Sequence, residues 1–119
     1  MVTPIEVVQA VLGDAVQCDV VTKVPVDRPE LFVRVDQSAP QVLSPIHQRA
    51  QVFVQAYGPT SEAALDMAFR VRERLMDAPS VHPKCFGVDE ITGPSELPDP
   101  DIPHVARWQV TGIVYMAIG

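Results

Sequence analysis

The sequence of 119 residues predicts an α+β fold: a mixed, mainly antiparallel sheet of four or five strands, with one short N-terminal helix and one longer helix packed on one face. Three observations predict it. A helix-start signature opens the chain, apolar and polar residues alternate with a period of two over several stretches, and one segment between them has helical periodicity.

Thr3-Pro4-Ile5-Glu6 reads as a capping box. The threonine hydroxyl can accept a first-turn amide, proline at the first helical position lacks only an N–H that has no intrahelical partner, and Glu6 lies three residues beyond the cap. The expected helix runs from about Pro4 to Leu12 and ends at Gly13. Val16, Cys18 and Val20 then alternate with Gln17 and Asp19 as in a half-buried strand, before Pro25 and Pro29 punctuate the chain.

In residues 30–36, ELFVRVD, Leu31, Val33 and Val35 share one face. From His47 to Tyr57, Ala50, Val52, Val54 and Ala56 fall on one side, with Gln51, Phe53, Gln55 and Tyr57 on the other. These two strands are expected to pair as a hairpin. Their connection, QSAPQVLSPIH, is too long and proline-rich for a tight turn, yet it carries Val42, Leu43 and Ile46. Such a loop either folds back on its own domain or meets a partner.

Gly58-Pro59-Thr60 stops the strand and caps a second helix, with Glu62 in its first turn. Projected at about 100° per residue, Ala64, Leu65, Ala68, Phe69, Val71, Leu75 and Met76 form an apolar arc opposite Glu62, Asp66, Arg70, Glu73 and Asp77. The helix is expected to end near Asp77, before Pro79. Arg72 falls inside the apolar arc, either with its stem packed and its head at the edge or on a carboxylate, or as an intersubunit ion pair. A short strand is expected over Lys84–Ile91. A long one follows over Trp108–Ile118, with Trp108, Val110, Val114 and Met116 on one face. Residues 93–110, GPSELPDPDIPHVARWQV, place four prolines and three acids before that last strand. Proline lowers the entropy of a segment before it is used, so the stretch is either a stiffened contact arm or a crossover kept from mispairing with a sheet edge.

Composition bounds the function. The chain suits one domain, residues 1–119, with a single core. Hydrophobic residues make up 47% of it but never form an uninterrupted membrane-length run, and Glu6 stands where a signal peptide would be basic. The expectation is a soluble protein with no membrane partner, its two cysteines, Cys18 and Cys85, reduced and buried. The net charge is −6 and the nine basic residues are scattered, which is not the footprint of a nucleic-acid binder.

The glycines form no phosphate cradle, and no nucleophile elbow is present. His82-Pro83-Lys84-Cys85 has the residue types of a metal site, with Cys18 or His104 to complete it, and Asp99-Pro100-Asp101 those of a hard-cation site. The first offers too few ligands and the second no surrounding carbonyls, so a loop histidine and solvated turn acids are the expected roles. The expectation is therefore no metal, no cofactor, no catalytic residue and no enzyme activity.

VPVDRPELFVRV at 24–35, the strand ending at Tyr57-Gly58, the helix with Ala64, Ala68 and Leu75, and GPSELPDPDIPHVARWQVTGIVY at 93–115 together resemble the tail terminator proteins of long-tailed phages, especially those of actinobacterial hosts. The likeness spans nearly the whole chain. It implies a ring, hexameric in that family's pattern, that caps the completed tail tube, halts its polymerisation and joins it to head-completion proteins of the neck. The implied setting is the tail–neck junction of a virion, reached from the host cytoplasm during assembly, with DNA passing through unbound.

Val42, Leu43, Ile46, Arg72, Asp99 and Asp101 are the expected subunit or tube contacts, and Glu62, Asp66, Glu73 and Asp77 the expected lumen-facing acids. Two other roles stand beside this one. They are a head-completion or connector protein of the neck, and a small-molecule-binding domain or enzyme with its pocket at His47 or His104.

Overall fold

A computed structural model describes residues 2–13, 16, 19–24, 29–102 and 105–118. Its elements in order are α1 (Pro4–Leu12), β1 (Asp19–Val21), β2 (Phe32–Gln37), β3 (Gln41–Ser44), β4 (His47–Gly58), α2 (Ser61–Met76), α3 (Ala78–Val81), β5 (Cys85–Glu96) and β6 (Ala106–Ala117). The fold is α+β, with helices on one face of a mixed, mostly antiparallel sheet.

The sheet has six strands, one more than the upper expectation, in the order β1-β2-β4-β6-β5 with β3 added on β4. Among the described residues, only β1 and β2 run parallel. The additional strand is β3, which lies in the connection expected to be a loop. Gln41 and Val42 pair with Arg49 and Gln48, so the proline-rich segment folds into a hairpin turning at Pro45-Ile46. The apolar residues that marked the loop as unusual are the residues of this strand and its turn. β1 begins at Asp19 rather than Val16, which is a buried turn residue whose N–H donates to the Leu12 carbonyl. Cys18, Pro25, Pro103 and His104 lie outside the described residues.

Strict alternation in β4 builds the core. Ala50, Val52, Val54 and Ala56 face the helices and meet Val33 and Val35 of β2 and Val110, Val114 and Met116 of β6. The helices contribute Val7, Val8, Val11 and Leu12 from α1 and Met67, Ala68, Val71 and Leu75 from α2. Burying each of the larger side chains among these contributes about 2 kcal/mol.

Caps fix the helix starts. Thr3 Oγ1 accepts the Glu6 N–H at 3.2 Å, and Thr60 Oγ1 accepts that of Ala63 at 3.1 Å. At its other end α1 leaves carbonyls without intrahelical donors, and Arg74 Nε of α2 donates to the Val11 carbonyl at 2.8 Å.

The buried arc of α2 is narrower than its apolar arc. Met67 is buried, whereas Phe69 and Met76 are exposed and Leu65 is half-buried. Tertiary packing seats the helix on the side of Ala64, Ala68, Val71 and Leu75, turning the flank with Phe69 and Met76 away from the core.

β5 runs to Glu96, well beyond the expected end at Ile91. Residues 93–96 are thus the last residues of an edge strand, where Pro94 costs no ladder hydrogen bond on its open side. The register shifts three times along β5 against β6. At one of these shifts Gly93 has φ +111°, and a Cβ there would stand 2.5 Å from the Gln109 carbonyl oxygen. Gly93→Ala is expected to destabilise the protein by about 2 kcal/mol or more in urea unfolding, because strain and collision add. Gly87→Ala, with nothing within 4 Å of its Cβ, is expected to stay within about 0.5 kcal/mol of the parent.

Candidate functional site: the uncovered surfaces

The helices cover one face of the sheet, and most of the other is open. Odd-numbered residues of β4 point there. Gln51 pairs across to Ile113, Phe53 to Thr111 and Arg49 to Tyr115. Near one end His47 sits between Phe86 and Tyr115, with ring centroids 5.5 and 6.1 Å away. Gln55 is buried and its Nε2 donates to Gln109 Oε1 at 2.8 Å, leaving its own Oε1 without a partner.

The other end of this face is covered by the acidic, proline-rich segment. Ile102 folds onto Phe32 and Tyr57, whose rings stack at 4.5 Å and 9°. Tyr57 Oη donates to Asp99 Oδ2 at 3.1 Å. Arg107 makes four contacts at once: Nη1 lies 3.6 Å from Asp99 Oδ2 and donates to Tyr57 Oη at 3.2 Å, while Nε and Nη2 donate to the Leu97 and Pro98 carbonyls. Both charged side chains are nearly nine-tenths shielded from solvent.

Asp99 also closes its own turn, with Oδ1 accepting the Asp101 N–H and its carbonyl that of Ile102. The planar guanidinium matches this set of acceptors, which a lysine could not. Prolines 98 and 100 thus stiffen a segment that the domain holds against itself.

The expected contact residues are dispersed. Val42, Leu43 and Ile46 cluster on the β3–β4 hairpin, all exposed. Arg72 is half-buried on α2; its Nη1 donates to the Gly93 carbonyl at 3.4 Å and its guanidinium lies over the Phe69 ring at 4.7 Å. Asp99 is engaged as described, and Asp101 is exposed. Glu62, Asp66, Glu73 and Asp77 lie along α2 and at its C-terminal end, with Arg70 among them, so the stripe carries four carboxylates and one guanidinium.

His82 Nδ1 accepts the Lys84 N–H at 3.1 Å. Burial pushes the Cys85 thiol above its ordinary pKa, against a smaller lowering effect from the Gly87 backbone. Among the described residues no three His, Cys, Asp or Glu side chains come together as a metal-holding group, and no helix is long and apolar enough to cross a membrane.

Sequence reasoning missed Arg107 and Tyr57 as partners of Asp99. The signal was an arginine placed to open the last strand directly after an acidic turn. No protein-family model matches the chain, and no curated protein matches it significantly.

Arg107→Ala is expected to destabilise the protein by about 2 kcal/mol, since it removes the cation beside a shielded carboxylate along with its bonds to Tyr57 and two carbonyls. Amide exchange should quicken first at residues 97–102. Unchanged exchange there would mean that Ile102 and the Tyr57–Asp99 hydrogen bond hold the segment without the arginine.

Proposed function

We propose that this protein is a tail terminator: a virion structural protein that forms a homo-oligomeric ring, six-fold by the family's pattern, on the end of a phage tail tube, and there joins the head-completion proteins. The reading starts from the resemblance to that family of residues 24–35, of the strand ending at Tyr57-Gly58, of the helix with Ala64, Ala68 and Leu75, and of residues 93–115. The observation that carries it furthest in the structure is the β3–β4 hairpin. Val42, Leu43 and Ile46 project from it into solvent, and apolar side chains grouped on a protruding element are the mark of an assembly contact.

The chain's proportions suit the role. Its extents are 45 × 23 × 22 Å, so the long strands can span the depth of a ring while the short dimensions set the wedge of each subunit. The acids of α2 supply the second requirement. A channel through which DNA passes must not hold it, and Glu62, Asp66, Glu73 and Asp77 facing a lumen would repel phosphate. The activity is binding and capping, without turnover, metal or cofactor.

Replacing Val42, Leu43 and Ile46 together by serine is expected to leave the circular dichroism spectrum intact and to abolish rings and tail capping. Intact assembly of that variant would remove the hairpin from the account. The assembled wild-type ring is expected to show no salt-sensitive binding of duplex DNA, whereas measurable binding would refute the acidic lumen.

A further inference from the structure

A head-to-tail ring needs two different patches on each subunit, and the structure offers the second. This step rests on the ring reading. β6 occupies one edge of β4 along its whole length, so β3 pairs on the other edge, the side of β2. β5 lies beyond β6. The hairpin and β5 therefore stand at opposite edges of the sheet.

The β5 edge has an unburied apolar surface of its own. Leu65, Phe69, Arg72 and Met76 recur at helical spacing down one flank of α2. Arg72 reaches the Gly93 carbonyl of β5 and, with Met76, lines an open recess completed by Val88, Asp89, Glu90 and Ile91. Phe69 and Met76 are the exposed members of this flank. Met76 is 63% exposed, comparable to Val42 at 66% and Ile46 at 71%.

The sides of the two edges match. Residues paired across antiparallel strands point the same way. Val42 pairs with Gln48, on the helix side of β4, and Val88 pairs with Val114, also on the helix side. Arg49, partner of Gln41, points to the open face, as does Asp89, partner of Ile113. Edge to edge, apolar groups meet apolar groups beneath the helices while Arg49 meets Asp89 on the open face. The register shifts of β5 and Pro94 rule against a long continuous ladder, so side chains carry the contact.

We infer that the β3–β4 hairpin of one subunit seats in the α2–β5 recess of the next, Val42 and Ile46 against Met76 and Val88, with Arg49 facing Asp89. The occupant of the recess is a second copy of this chain.

The test uses full-length protein, alone and on purified tail tubes. V42C and M76C single variants are mixed and treated with a short bis-maleimide, with the wild type's own cysteines as the baseline. Linkage between copies through the two introduced thiols, at least about tenfold above either variant alone, supports the contact; linkage of the V42C thiol to the tube protein instead overturns it. R49E is expected to raise the concentration for half-assembly about tenfold, and R49E combined with D89R to restore it, which a merely misfolded variant would not show. Rings that form normally without the linkage, or an unrescued double variant, reject this contact and leave the ring reading standing. A wild type that never forms rings, even on tubes, rejects both.

Discussion

The alternation of β4 is the constraint on which the structure depends. Three other strands hydrogen-bond to its twelve residues, β2 and β3 along one edge and β6 along the other. Because its side chains change face at every residue, one choice of register sends Val52 and Val54 under the helices and Phe53 and Gln55 to the opposite face. A slip by one residue would exchange the two sets. The long pairing with β6 and the paired core valines of β2 and β6 hold the register against that slip.

A sheet covered on one face must manage the other, and the chain does so unevenly. One end is closed by the segment carrying Ile102, pinned through Asp99 to Arg107 and Tyr57. The remainder is surfaced with amides, hydroxyls and rings that tolerate water. Exposed apolar side chains lie on the hairpin at Val42, Leu43 and Ile46, along the β5 side of α2 at Phe69 and Met76, and singly at Val81, Phe86 and Leu97.

Most of the fold was legible because its signals are local. The cap at Thr3, the alternation at 47–57 and the stop at Gly58-Pro59 each rest on a few adjacent residues, and each places an element within a residue or so. β3 was not legible, since Gln41–Ser44 shows no alternation and forms a strand only because β4 extends past β2 and offers a free edge. The flank of α2 escapes the sequence for a related reason. Helical periodicity gives the width of an apolar arc, not how much of it one chain can cover, so Phe69 and Met76 belong to the arc without belonging to the core. The fold-back of Asp99 depends on partners 42 and eight residues away in sequence, and its one sequence signal is the arginine that follows the acidic turn at the start of the last strand. The hairpin residues Val42, Leu43 and Ile46 were legible as a surface because apolar residues amid prolines are conspicuous.

The most direct measurement adds the purified wild-type protein to tail-tube protein during polymerisation and images the products by negative stain. The account predicts shortened tubes carrying a ring of uniform diameter at one end, with elongation halted there. Tubes that lengthen as before, with bare ends at every concentration of the protein, would contradict it.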